Sequence, residues 1–136
     1  MNRRKAREHA LQMLFQLEFS GDKKEWRAPE GFWSEMEETG EAGEFAARLV
    51  GGTLEHIEEI DGVIQKAAEH WDMKRMAVVD RNILRFAVFE LLYAEDIPRA
   101  VTINEALEIA KKYSSLEAAS FINGLLDKVA RDCRKV

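Results

Sequence analysis

Apolar positions recur along most of the chain at three- and four-residue spacing, the period of a helix with one buried face. Leu11, Leu14, Phe15 and Glu18 share a face with Arg7 and Arg4, one and two turns back. The spacing predicts a first helix from about Arg3 to Phe19, anchored to a core by Leu11, Leu14 and Phe15. Ser20-Gly21-Asp22 reads as its stop. A loop or short helix then passes through Trp26, Phe32, Trp33 and Met36, and Gly40 and Gly43 mark another break. Phe45, Ala46, Leu49, Val50, Thr53, Ile57 and Ile60 return to helical spacing. Gly51-Gly52 lies inside that run and should cost up to roughly 1 kcal/mol per glycine against alanine. We read the pair as a place where another helix packs closely. Asp61-Gly62 predicts a break, with a further helix through Val63, Ile64, Ala67 and Ala68 to Trp71.

The strongest central pattern is VVDRNILRFAVFELLYAED, residues 78–96. Ile83, Leu84, Ala87, Val88, Leu91 and Leu92 form one stripe. Asn82, Phe86, Phe89 and Tyr93 form a second, partly aromatic one. A helix apolar on two sides is either central in a bundle or carries a partner surface; aromatic residues usually serve the core, which favours the central place. Beyond Pro98, Thr102-Ile-Asn-Glu105 fits a capping box for a helix reaching Tyr113, and Ser114-Ser-Leu-Glu117 fits a second. The last helix carries Ala118, Phe121, Ile122, Leu125, Leu126, Val129, Ala130 and Cys133, with Gly124 expected at another close approach. The pattern predicts an all-α fold of six or seven helices in one domain spanning 1–136, without strands or repeats.

Composition agrees: 46% of the residues are apolar and 33% are charged, with two prolines. The single cysteine, Cys133, permits no intrachain disulfide and suits a reducing cytoplasm. The longest charge-free stretches reach about half of the roughly 20 residues that a membrane-spanning helix needs. No secretory signal is visible, because Glu8 and Gln12 interrupt any apolar segment near the start. These features predict a soluble cytoplasmic protein.

Charge changes the picture, because it is unevenly placed. The net charge is -5, yet four of the first seven residues are Arg3, Arg4, Lys5 and Arg7. Residues 21–62 hold four bases and twelve acids. Cations at a helix start oppose the macrodipole by roughly 0.3–1 kcal/mol each. The first turn shows no compensating acid of its own, and such a break of a local rule is a pointer to function.

Motifs for chemistry are absent. His9, His56 and His70 are far apart and lie in no HExxH or Glu-x-x-His pattern. His56 near Glu59 reads as a solvated helix surface. There is no phosphate-cradling glycine loop. Carboxylate pairs such as Glu37-Glu38 and Glu58-Glu59 read as solvated faces, and Cys133 as packing. No cofactor, metal or catalysis is expected, so binding is the favoured class. Arg3, Arg4 and Arg7 fall within about one helical turn; guanidinium forks grip phosphates and stack on unpaired bases. Gln12 is placed to read a base edge. DNA is disfavoured, because no groove-reading element stands out. By charge alone, a solvated helix start and an RNA grip both stay open.

RRKAREHALQMLFQ (3–16), VVDRNILRFAVFELLY (78–93), IPRAVTINEALEIAKKY (97–113) and FINGLLDKVAR (121–131) resemble the NusB family of bacterial transcription antitermination factors. The resemblance covers essentially the whole chain. It implies two perpendicular three-helix bundles and binding of boxA RNA in ribosomal RNA leader transcripts. It also implies pairing with NusE, a small-subunit ribosomal protein, within an RNA polymerase antitermination complex. RNA contact then falls to Arg3, Arg4, Lys5 and Arg7, with Gln12 close by; NusE contact falls to Asp80, with Phe89 and Glu117 at positions that differ from the family's usual Tyr and Asp. Phe15 stands where Tyr is common. Some members form homodimers that cover the RNA surface. Two other readings follow: a purely protein-binding adaptor, or the NusB-like part of a ribosomal RNA cytosine methyltransferase if the chain is a piece of one.

Overall fold

The computed structural model describes residues 3–19 and 40–133, and every described element is helical. The helices are α1 (Arg3–Glu18), α2 (Gly40–Glu55), α3 (Ile57–Ala67), α4 (Val78–Tyr93), α5 (Arg99–Tyr113) and α6 (Leu116–Cys133). A single 3-10 turn, Met73–Arg75, lies between α3 and α4. The expected elements at Trp26, Phe32, Trp33 and Met36 lie outside the described residues, as does the side chain of Cys133.

Helix α4 is central, as its two apolar stripes predict: it packs against α1, α2, α3, α5 and α6. Every residue from Asn82 to Leu91 is buried. Three of them are polar, and a buried polar group must find a partner or lose several kcal/mol. Asn82 donates to Glu18 and to its own helix at Val78 O. Arg85 spans from Asp61 of α3 to Glu18 of α1. Glu90 takes hydrogen bonds from Arg7 of α1 and Thr102 of α5. The polar residues of the central helix thus tie together the helices that its apolar residues gather. Around α4, α1 packs on α2 and α5 packs on α6.

Gly52 bears out the expected close approach. A Cβ there would stand 2.3 Å from the Phe89 ring, so only glycine lets α2 and α4 meet. Gly51 and Gly124 have nothing within 4 Å of such a Cβ, so the same expectation fails for them. Asp61-Gly62 does not break its helix; α3 runs through it, and the break falls one turn earlier at His56. Asp61 is committed to Arg85 instead.

Both capping boxes move. Helix α5 begins at Arg99 behind Pro98, which puts Thr102 inside the helix, buried, where its hydroxyl serves Glu90 rather than a helix end. Helix α6 is capped by Ser115, not Ser114: the Ala118 N–H donates to Ser115 Oγ at 2.9 Å.

Candidate nucleic-acid interface

The first turn of α1 contains no acidic residue, as its sequence shows. The compensation comes from distant helices. Arg4 pairs with Glu105 of α5 through two bonds, Nε to Oε1 at 2.9 Å and Nη2 to Oε2 at 2.5 Å. Arg7 Nη1 lies 3.7 Å from the same Glu105 carboxylate. Glu90 of α4 takes the Arg7 fork through two bonds of 2.8 Å. The Arg3 guanidinium lies 4.6 Å above the Phe45 ring of α2, and the Arg7 guanidinium lies 5.1 Å from it. So α1 begins as a row of cations held in place by α2, α4 and α5.

These cations differ in access. Arg4 and Lys5 are exposed and Arg3 is half-buried. Arg7 is 2% exposed and its pairing partner Glu90 is 0% exposed. Arg7, expected among the RNA contacts, has its guanidinium inside the fold in this structure, paired with Glu90. Gln12 is exposed one face round from the buried Leu11 and Leu14. Phe15 departs from its expected core role. It is 38% exposed and packs edge-to-face on Phe19, with ring centroids 5.4 Å apart. Ala6, Ala10 and Met13 fill the core beside Leu11 and Leu14 instead.

An open groove of about 280 Å³ runs beside the basic turn, lined by Lys5, Glu8, Gln12, Phe15, Val79 and Tyr113 among others. It joins the outer face of α1 to the start of α4 and the end of α5. Two groups here escape a sequence reading. Glu8 accepts from Lys112 Nζ at 2.9 Å and from the Tyr113 hydroxyl at 2.6 Å. The signal for them is the KKY at the end of α5, which alone reads only as cations favoured at a helix C-terminus. Burial pushes the Glu8 carboxyl up, but the bonds from Tyr113 and Lys112 outweigh it and hold it below the usual range. The bond from Arg4 likewise holds Glu105 down, against its burial.

The residues expected to face a protein partner are spread out. Asp80 sits half-buried in the first turn of α4, where a negative charge suits the helix dipole. Its Oδ1 is buried without a hydrogen bond. Glu117 is exposed in the first turn of α6, beside a fully presented Leu116. Phe89, expected at the partner surface, is buried in this structure, fills the space over Gly52, and stacks on Tyr93 at 5.7 Å. It lies at the contact between α2 and α4. Among the described residues, no group of three metal-binding side chains gathers, and no helix is long and apolar enough to cross a membrane.

Fold and site together define an all-helical protein, acidic overall, whose described residues include a basic edge bordered by an aromatic groove. The NusB family profile matches residues 4–131, and the chain belongs to that family. The transcription antitermination protein NusB of Thermodesulfovibrio yellowstonii is 47% identical over 141 residues, covering 97% of this chain and 93% of that one. The structure of T. maritima NusB is similar with a TM-score of 0.84 and 38% identity, covering 97% of this chain and 92% of its own. A crystal structure of antitermination factors NusB and NusE in complex with dsRNA matches with a TM-score of 0.80 and 28% identity, covering 96% of each chain.

Proposed function

We propose that this chain is a transcription antitermination factor that binds boxA RNA of ribosomal RNA leader transcripts together with NusE. The observation that carries the reading is the row of Arg3, Arg4 and Lys5 in the first turn of α1, with Lys5 lining a groove together with Gln12 and Phe15. Cations there neutralise phosphates, while a flat aromatic and an exposed amide beside them suit unpaired bases. Arg7 takes the positioning role. Asp80 and Glu117 are the residues offered to NusE, with Phe89 bracing α4 behind them. The protein works without catalysis or cofactor, as one domain over 1–136, in the cytoplasm, as an adaptor that joins RNA and NusE to RNA polymerase. A similar structure of NusB and NusE in complex with dsRNA supports the pairing of both partners with this fold.

The test is a titration of boxA RNA with the chain alone and with NusE added. Binding that tightens with NusE and weakens with salt is expected. Replacing Arg3, Arg4 and Lys5 together by Gln should flatten the salt slope by about 2, at roughly 0.7 per lost single-strand phosphate contact. Tight NusE binding with no RNA affinity in either arm would make the chain a protein-binding adaptor instead.

A further inference from the structure

The basic edge contains two negative charges, and each occupies a donor that a phosphate would use. Glu105 takes the Nε–Nη2 side of the Arg4 fork through both of its oxygens. That side is the one that grips a phosphate in two-pronged fashion. Glu8 accepts from the Lys112 ammonium and from the Tyr113 hydroxyl through one oxygen, Oε1. Between them lies an open pocket lined by Arg4, Lys5, Glu8, Glu105 and Lys112. Glu105 and Glu8 are both only partly exposed, at 16% and 14% of their side chains, while Arg4 and Lys112 are 44% and 60% exposed. The acids are thus set in the wall and the cations lie over them, facing outward.

We propose that Glu105 and Glu8 are built-in phosphate surrogates, which occupy Arg4 and Lys112 in the free protein and limit how tightly this edge takes an RNA backbone. The inference rests on the RNA reading above. An RNA phosphate reaching Arg4 must share the guanidinium with Glu105 or displace it, and both carboxylates repel the incoming strand. Phosphate contacts carry no sequence information. The surrogates therefore lower affinity for any RNA and leave the groove's base contacts to select among strands. A chain without them would bind bulk RNA more tightly.

The experiment uses the full chain with Glu105→Gln and, separately, Glu8→Gln, titrated with boxA RNA and with a scrambled RNA of the same length. Salt is varied from about 50 to about 200 mM. Each variant should bind both RNAs roughly two- to fivefold tighter at low salt, the scale of one exposed ion pair. The salt dependence should steepen, and the Glu105→Gln gain should vanish in an Arg4→Gln background. Unchanged or weaker binding by both variants, with the melting temperature and helical circular dichroism intact, overturns the proposal; weaker binding would make the acids supports that aim the cations. If Arg4→Gln weakens binding while neither glutamate variant strengthens it, the RNA reading stands and the surrogates fall. If the unaltered chain binds neither RNA, even with NusE, both fall. Glu8→Gln, on a different helix from Glu105, keeps the test decisive should Glu105→Gln fail to fold.

Discussion

Arg7 and Glu90 meet as a buried two-pronged ion pair that fastens the first turns of α1 to the last turn of α4. Both bonds measure 2.8 Å, and both side chains are almost wholly removed from solvent. Thr102 adds a third donor to the Glu90 carboxylate at 2.8 Å, and the Phe45 ring covers the guanidinium. One carboxylate thereby connects α1, α4 and α5. Arg3, Arg4 and Lys5, which precede Arg7, are presented from a turn that this pair holds to α4 and α5.

Removing one member of such a pair leaves the other charged and unmatched in the core. Arg7→Ala should destabilise the fold by about 3–5 kcal/mol. Replacing both residues by Met should recover much of that, because an apolar pair of similar volume leaves no orphaned charge in the core; Thr102 then loses its acceptor, which tempers the recovery. Urea unfolding of the two variants measures this. A midpoint for Arg7→Ala equal to that of the unaltered chain would show that the pair contributes nothing.

Two adjacent glycines should respond oppositely to alanine. At Gly52 the added methyl would meet Phe89 Cε1 and Cζ at 2.3 Å, so the α2–α4 contact must open, at about 1–3 kcal/mol. At Gly51 the methyl meets nothing within 4 Å, and the better helix former should stabilise by up to about 1 kcal/mol. Thermal unfolding of Gly51→Ala and Gly52→Ala checks both signs. Phe89→Leu should rescue Gly52→Ala in part if the ring is what resists.

These two sites also show what a linear reading can reach. The helices and their core faces were legible, because Leu11, Leu14, Leu49, Ile83 and Ile122 recur at helical period and are all buried. Gly52 was legible because a glycine within a helical pattern needs a packing reason. Arg7 was not: its spacing groups it with Arg4, and its partner Glu90 lies 83 residues away. Phe15 was misplaced because periodicity puts it at the margin of the apolar stripe, and only the neighbours of α1 decide whether that margin is covered. The cap at Ser114 was one residue off, since two serines precede Leu116 and only the first stands at capping-box spacing from Glu117, while the helix starts behind the second. Thr102 matched a capping box by composition, but a buried carboxylate needing a donor decided its place. Of the basic edge, the exposed cations were legible from charge alone; Glu8, Lys112 and Tyr113 became its neighbours only through the packing of α1 against α5.

Acid should loosen the contact between α1 and α5. Glu8 and Glu105 both titrate below the ordinary value of 4.5 in the folded chain. A depressed carboxyl contributes stability that is complete above its unfolded pKa and is lost as pH falls through the folded value. Unfolding measured from pH 7 downward should therefore show stability falling from about pH 4.5. Glu105→Gln should fall less steeply there, and its difference from the unaltered chain should shrink with acid. Parallel curves for the two proteins would mean that Glu105 gains nothing from Arg4 on folding.

Salt dependence should sort the four N-terminal cations into two kinds. Arg4 and Lys5 are open to solvent, and a phosphate bound by either releases counterions; replacing one by Gln should lower the slope of log affinity against log salt by roughly 0.7. Arg7 has no guanidinium edge left for a phosphate, because Glu90 takes both donors of one side, Glu105 lies near the other, and Phe45 covers a face. Replacing Arg7 and Glu90 together by Met should therefore leave the slope for boxA RNA unchanged wherever the protein remains folded, even if affinity drops through a less firmly held α1. The double replacement also leaves net charge unaltered, so a changed slope could not be assigned to the general field of the protein. A drop of about 0.7 in that variant would return Arg7 to the surface and place a phosphate on it in the bound state. The same measurement on Lys112→Gln asks whether the end of α5 belongs to the edge, since its exposed ammonium lies across Glu8 from the basic turn.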